Sequence, residues 1–197
     1  MTRDDEHLKE TTIRSERVFD GVFLHVDRDT VRLPNGNETA REYILHPGAV
    51  MMIPMLDDGR IVMERQWRHP LGRVFIEFPA GKIDAGEEPL RTCERELREE
   101  TGYSADRFTH LATINNAISY SDEHIEIYLA EGLRAGERKL DDEEFLDVLA
   151  VTTTQVLDWV RDGTITDVKT IIGAFWLDKL KTGAWAPDES RFRVDIS

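Results

Sequence analysis

Three glutamates, Glu96, Glu99 and Glu100, lie close together in a stretch running from Gly81 to Tyr103 that also carries Asp84, Glu87, Glu88 and Glu94. Glu77 lies just upstream. Glu96 and Glu100 are four residues apart, so on a helix one stands a turn above the other on the same face, and Glu99 joins its edge. Like charges at this spacing repel and weaken an isolated helix. A hard divalent cation between them would reverse that sign, because Mg²⁺ favours carboxylate oxygens. The competing reading is a solvated helix face laced with pairs such as Arg95–Glu99 and Glu94–Arg98.

The helix that must carry these side chains is legible. Pro89 suits a first helical turn, where its missing N–H costs nothing. Gly102 suits the position just past the last turn, where the backbone turns left-handed. Leu90, Cys93 and Leu97 recur at helical spacing and form a narrow apolar stripe. Cys93 is the only cysteine, so no intramolecular disulfide can form, and its place on the stripe marks it as a small core residue rather than a nucleophile.

The stretch resembles the signature of the Nudix hydrolases: Gly, five residues, Glu, seven residues, then Arg-Glu-apolar-any-Glu-Glu-any-Gly-apolar. Here these are Gly81, Glu87, Arg95, Glu96, Leu97, Glu99, Glu100, Gly102 and Tyr103, with Tyr103 a mild departure in the last apolar slot. The resemblance implies Glu96 and Glu100 as principal metal ligands, with Glu99 contributing and the main-chain carbonyl of Ala80 completing the shell. It also implies that Arg95 clamps Glu87. Gly81 has no side chain, so the backbone there can approach a ligand closely. The implied metal is Mg²⁺, with Mn²⁺ as a substitute. The chemistry that wants such a platform is hydrolysis of a phosphoanhydride, where cations offset the negative charge that repels a nucleophile.

Residues outside the signature resemble the ADP-ribose pyrophosphatase branch of that family: Glu77-Phe78-Pro79-Ala80-Gly81, Gln66-Trp67-Arg68 and the Val31–Gly36 segment VRLPNG. By that resemblance the fold is a mixed α/β, Nudix-type α/β/α sandwich with a small N-terminal antiparallel β subdomain. The chain is expected to be a homodimer whose active sites draw on both subunits. Arg68 is a candidate diphosphate clamp, its planar donors suited to phosphate oxygens, and Arg65 a weaker one. Glu77 is placed with them at the substrate, or behind the metal site. The general base is expected in the acidic loop before the last strand, with Glu144 first and Glu143 second. The branch carries a proline ahead of Ser121-Asp122-Glu123, whereas this chain has Ala117-Ile118-Ser119-Tyr120. Other nucleoside diphosphate derivatives, such as GDP-mannose, therefore stand beside ADP-ribose as substrates. A nucleotide-sensing binding module is the reading from another class, and the complete carboxylate set argues against it.

With 197 residues the chain is long enough for one domain plus a small appendage. Its net charge of −14 excludes a general nucleic-acid-backbone binder, which needs a basic face. The longest apolar run, Ala49–Leu56, is far too short to span a bilayer, so a cytoplasmic protein away from membranes is expected. His25, His46, His69, His110 and His124 show no metal-ligand spacing; His69 is the one to watch near substrate, and Asp122 and Glu123 near the pocket mouth. Phe19, Phe23 and Tyr43 are expected mainly in the core, with base stacking as the alternative.

Residues 1–15 are expected to form a flexible tail. Residues 16–46 form the β subdomain, with Val22, Leu24 and Val26 on one strand face and a hairpin turn at Pro34-Asn35-Gly36. Residues 47–197 form the catalytic domain. Within it, 49–56 and 60–68 read as a strand–turn–strand about Asp57-Asp58-Gly59, and 74–78 as a strand. Further strands follow at 108–116, 124–133 and 145–152, then helices at 154–161 and 167–180.

Overall fold

The structure, a computed structural model, describes residues 5–140 and 144–187 and the backbone of residues 193–195. The chain divides into two compact units, Met1–Pro47 with Asn115–His124, and Gly48–Ile114 with Ile125–Ser197.

The first unit is built on a three-stranded antiparallel sheet, β1 (Thr11–Asp20), β2 (His25–Arg32) and β3 (Glu38–Leu45), in that order. The turn at Pro34–Gly36 forms as expected. Leu33 N–H donates to the Asn37 carbonyl (2.8 Å), and Gly36 takes φ +86°, a conformation cheap only for glycine. Three expectations are corrected. Residues 11–15 belong to β1 rather than to a tail. Val22 and Leu24 lie exposed in the β1–β2 connection, because pairing ends at Asp20–His25. Phe19 and Phe23 are not core residues, being 54% and 58% exposed. Segment 115–124 joins this unit through main-chain bonds: Ile44 N–H to the Tyr120 carbonyl (2.8 Å) and Asp122 N–H to the Ile44 carbonyl (3.3 Å).

The second unit carries β4 (Ala49–Pro54), β5 (Ile61–Arg68), β6 (Arg73–Glu77), β7 (Ala80–Lys82), α1 (Pro89–Thr101), β8 (Tyr103–Ser104), β9 (Arg107–Asn115) and β10 (His124–Glu131). After these come β11 (Arg134–Ala135), β12 (Leu146–Val151), α2 (Thr153–Asp162), α3 (Val168–Lys181) and β13 (Arg193–Asp195), the last not foreseen. One sheet has the order β13-β9-β10-β4-β7, with β4 and β10 parallel; a second, antiparallel, has the order β12-β5-β6. The turn at Asp57–Gly59 does not make a regular hairpin. It passes the chain from one sheet to the other, with a single bridge between Met55 and Ile61.

Strand β4 explains the layering. Its run AVMMIP is apolar on both parities, as a strand covered on both faces must be. Val50 and Met52 pack with Cys93 and Leu97 of α1 and with Phe108 and Tyr128. Met51 and Ile53 pack with Val156 of α2 and with Ala174 and Leu177 of α3. Helices thus cover both faces, giving the α/β/α arrangement. Side chains cap both helices: Thr152 Oγ1 accepts from Gln155 N–H, and Asp167 accepts from Thr170 N–H. Among the described residues no helix is long and apolar enough to cross a membrane.

Candidate active site

Helix α1 is the platform. It starts at Pro89 and ends at Gly102, whose φ of +76° makes the left-handed stop. The Leu97–Cys93 stripe is buried, so the helix cannot rotate without exposing it, and the glutamate face is held in place. Burial pushes the Cys93 thiol well up, leaving it an inert core group.

Arg95 is the hub of the exposed half of the cluster. Its Nε and Nη2 hold Glu87 in a fork (3.1 and 2.8 Å), and Nη1 reaches Glu96 (2.7 Å) and Glu99 (3.2 Å). Nη2 also donates to the Lys82 carbonyl (3.3 Å), tying α1 to β7. Thr92 Oγ1 donates to Glu87 as well (2.9 Å). The Arg95 bonds first, and then the Thr92 hydroxyl, hold the Glu87 carboxyl down at about 2. Glu94 pairs with Arg91 (2.7 Å), where the sequence suggested Arg98.

A depressed carboxyl stabilises the fold above its unfolded value and loses that contribution as pH falls through its folded value. The stability difference between the protein and Glu87→Gln should therefore be full above about pH 4.5, at about 1 kcal/mol for a partly exposed pair. It should fade toward pH 2. Urea melts across that range check it, and a pH-independent difference would contradict the Arg95 clamp.

The buried half of the cluster is different. Glu100 is 3% exposed and accepts from Ala80 N–H (3.1 Å). Burial pushes its carboxyl well up, and Glu64, Glu96 and Glu144 push it further. Glu96 is raised to about 7, by burial first, against the pull of Arg95 and with Glu99 and Glu144 adding to the rise. Gly81 gives Glu96 its place: a Cβ there would lie 1.9 Å from the Glu96 carboxyl carbon. Arg95, Glu96, Glu99, Glu100, Glu144 and the Ala80 backbone are thus brought together. Glu143 lies outside the described residues.

The remaining candidates separate. Arg68 Nε and Nη2 grip Glu77 (2.8 and 2.9 Å), and Lys169 Nζ of α3 binds the same carboxylate. Glu77 is 2% exposed, and these cations, Arg68 before Lys169, outweigh a larger opposing effect of burial and hold it below its usual range. Both of its oxygens are thus bonded to protein cations, and the pair holds Arg68 in place. Arg68 keeps fork donors beyond those two bonds. Arg65 lies on the surface beside Asp147 (3.5 Å). With Trp67, Val74, Phe145 and Asp147 it lines a cavity of about 360 Å³ that also reaches Glu144. Asp122 and Glu123 serve the first unit, Asp122 by accepting from His46 N–H (2.8 Å) and Glu123 by bonding Asn116 (3.2 Å).

Among known protein families, the NUDIX domain profile matches residues 45–169. The chain belongs to the Nudix family. A second profile, the nucleoside diphosphate sugar hydrolase N-terminal domain, matches residues 10–44. The Nudix chain is 41% identical to an ADP-ribose pyrophosphatase of Bacillus subtilis over 83% of its own length and 89% of the relative's. It is 39% identical to a methanol dehydrogenase activator of Bacillus methanolicus, over 86% and 92%. A crystal structure of an ADP compounds hydrolase superposes with TM-score 0.80 at 24% identity, covering 89% of this chain and 96% of that one, and so shares the fold. The protein is thus a Nudix hydrolase, of a family that works with divalent metal ions.

The residues fit such an ion. The donors are hard oxygens, Gly81 leaves a cradle that any side chain would fill, and a buried carboxylate, Glu64, has no hydrogen-bond partner among the described residues. As they stand, no three Asp, Glu, His or Cys side chains among the described residues are arranged as a metal-holding group. Arg95 instead draws Glu96 and Glu99 to itself. The sequence reading missed Glu64, Lys169 and the Thr92 brace. The available signal for Glu64 was a carboxylate following Ile61-Val62-Met63 in an apolar strand.

Proposed function

We propose that this Nudix hydrolase is a Mg²⁺-dependent ADP-ribose pyrophosphatase, cleaving ADP-ribose with water to AMP and ribose 5-phosphate, and that it works as a cytoplasmic homodimer. The observation that carries the reading is the convergence of Glu96, Glu99, Glu100 and Glu144 beside the Ala80–Gly81 backbone. Glu96, Glu100 and the Ala80 carbonyl would hold Mg²⁺, or Mn²⁺ in its place, with Glu99 assisting. The ion's contribution is to neutralise diphosphate oxygens and lower the pKa of a bound water. Arg95 holds Glu87, Glu96 and Glu99 in position. Arg68, aimed by Glu77, offers its remaining donors to the diphosphate, and Arg65 offers charge at the rim of the cavity. Glu144 takes the proton from the attacking water, with Glu143 as the neighbouring choice. The choice of substrate is supported by the likeness to the Bacillus subtilis ADP-ribose pyrophosphatase.

The homodimer is supported by β1, an edge strand exposed along almost all its length with Ile13, Val18 and Phe19 uncovered. Long uncovered apolar edges are normally paired or covered, and a two-fold partner is the commonest cover. A second reading, hydrolysis of a nucleoside diphosphate sugar such as GDP-mannose, is favoured by the match of residues 10–44. Measuring kcat/KM over a panel of ADP-ribose, ADP-glucose, GDP-mannose and UDP-glucose with Mg²⁺ separates the two. ADP-ribose is expected to lead by at least about tenfold. A lead for GDP-mannose would move the assignment to the second reading, and no turnover of any compound would remove both.

A further inference from the structure

Glu64 lies on β5, away from the glutamates of α1 in sequence, and none of the roles given above uses it. Its neighbours on the strand are Ile61, Val62 and Met63, all buried. Ile61 and Met63 join the core under α2 and α3. Glu64 takes the opposite parity to them, paired across the sheet with Glu77 of β6 and Val148 of β12. It is 0% exposed. Neither carboxylate oxygen has a hydrogen-bond partner among the described residues. Glu77 beside it holds both neighbouring cations through direct bonds, Arg68 and Lys169, so they act on Glu64 only at longer range.

A buried carboxylate without a partner is costly, by several kcal/mol if ionised, and a well-packed strand has apolar alternatives at that position. Its surroundings say what it faces. Of the charges acting on Glu100, Glu64 has the largest effect, and Glu144 acts on both. Geometry agrees: Glu64 is paired with Glu77, three residues before Ala80, whose N–H bonds Glu100, so Glu64 stands on the strand pair that leads into the metal-site backbone.

We infer that Glu64 is an additional ligand of the divalent-metal site, reaching the ion from the sheet side, directly or through a metal-bound water, while Glu96 and Glu100 reach it from α1. This rests on the metal reading of the α1 cluster given above. The site would then be clamped between two layers of the fold rather than lying on one helix. A cation there supplies the missing partner for the two orphaned oxygens and offsets the repulsion among Glu64, Glu100 and Glu144. It also gives the sheet a share in positioning the ion, since β5 carries Arg68 four residues further on.

The test uses Mn²⁺ alone as the probe, without substrate, in the full-length chain. Free Mn²⁺ is followed by electron paramagnetic resonance through a titration, and binding heat by calorimetry. Glu64→Gln should weaken Mn²⁺ binding about 10- to 100-fold, as loss of a ligand or its close support does, or remove one bound ion from the stoichiometry. Its melting curve in chelator reports folding independently. Glu64→Asp keeps the charge but withdraws it by a methylene, and should weaken binding in the same direction; it serves if the Gln variant does not fold. Binding by Glu64→Gln equal to that of the unaltered protein, with the melt intact, would overturn the inference and leave Glu64 as a buried neutral acid. Failure of the unaltered protein to bind Mn²⁺ at all would instead overturn the metal reading on which the inference rests.

Discussion

Glu100→Gln should lower kcat by about 10²–10³-fold, the scale set by removing one preorganised electrostatic group from a transition state, while the melting temperature holds or rises. The two halves of that expectation come from one geometry. Glu100 is buried, and it faces the like charges of Glu64, Glu96 and Glu144. A neutral isostere relieves that repulsion, and its amide oxygen still accepts from Ala80 N–H at the 3.1 Å position. What it cannot do is offer a carboxylate to a cation. Activity and stability thus move in opposite directions, as expected where a site holds strain for function. Steady-state kinetics beside thermal melts check this. Near-normal kcat would remove Glu100 from the metal site, and a collapse of the fold would make its role structural.

The second large effect is on stability. Glu77→Gln should destabilise the protein by about 3–5 kcal/mol, the usual result of taking one partner from a buried ion pair. For a chain of this size that is about 6–20 °C in melting temperature. The Lys169 ammonium is nearly enclosed and binds Glu77 and Asp167 (3.0 Å). The Arg68 fork rests wholly on Glu77 for its Nε and Nη2 bonds. Without the carboxylate, the nearly enclosed Lys169 ammonium faces the Arg68 guanidinium with no anion between them. Adding Lys169→Met should recover part of the loss, because the remaining charge is then Arg68, which reaches solvent. A drop below about 2 °C for Glu77→Gln, or no recovery in the double variant, would contradict this account of the network.

The parts of the fold legible in sequence are those with local causes. Helix α1 announced itself through Pro89, Gly102 and the Leu90–Cys93–Leu97 stripe, and it spans Pro89–Thr101. The doubly buried β4 announced itself as an unbroken apolar run. The Arg95–Glu87 pair followed from the family signature, and its geometry is a two-donor fork.

What was missed has non-local causes. The turn at Asp57–Gly59 looks like any hairpin turn, yet β4 pairs with β10, far along the chain, and this sends β5 into another sheet. Segment 115–124 is held by Ile44 and His46, a relation no local pattern reveals. Val22 and Leu24 keep strand alternation but fall where pairing has stopped. Lys169 sat on an amphipathic helix where a lysine is ordinarily solvated, and only the fold brings Glu77 to it. Glu64 gave the faintest sign of all, one charge in an apolar strand, because Glu77, Lys169 and Glu144, which act on it, come from elsewhere in the sequence.

In the proposed reaction the α1 cluster, with a divalent ion, sends water into a nucleoside diphosphate. The most direct test is to incubate the protein with ADP-ribose in ¹⁸O-enriched water, with Mg²⁺ and with chelator, and to weigh the products by mass spectrometry. The expected result is AMP and ribose 5-phosphate, with a single heavy oxygen incorporated in one of the two products, and no cleavage in chelator. Intact ADP-ribose in the presence of Mg²⁺, or equal cleavage in chelator, would contradict the account.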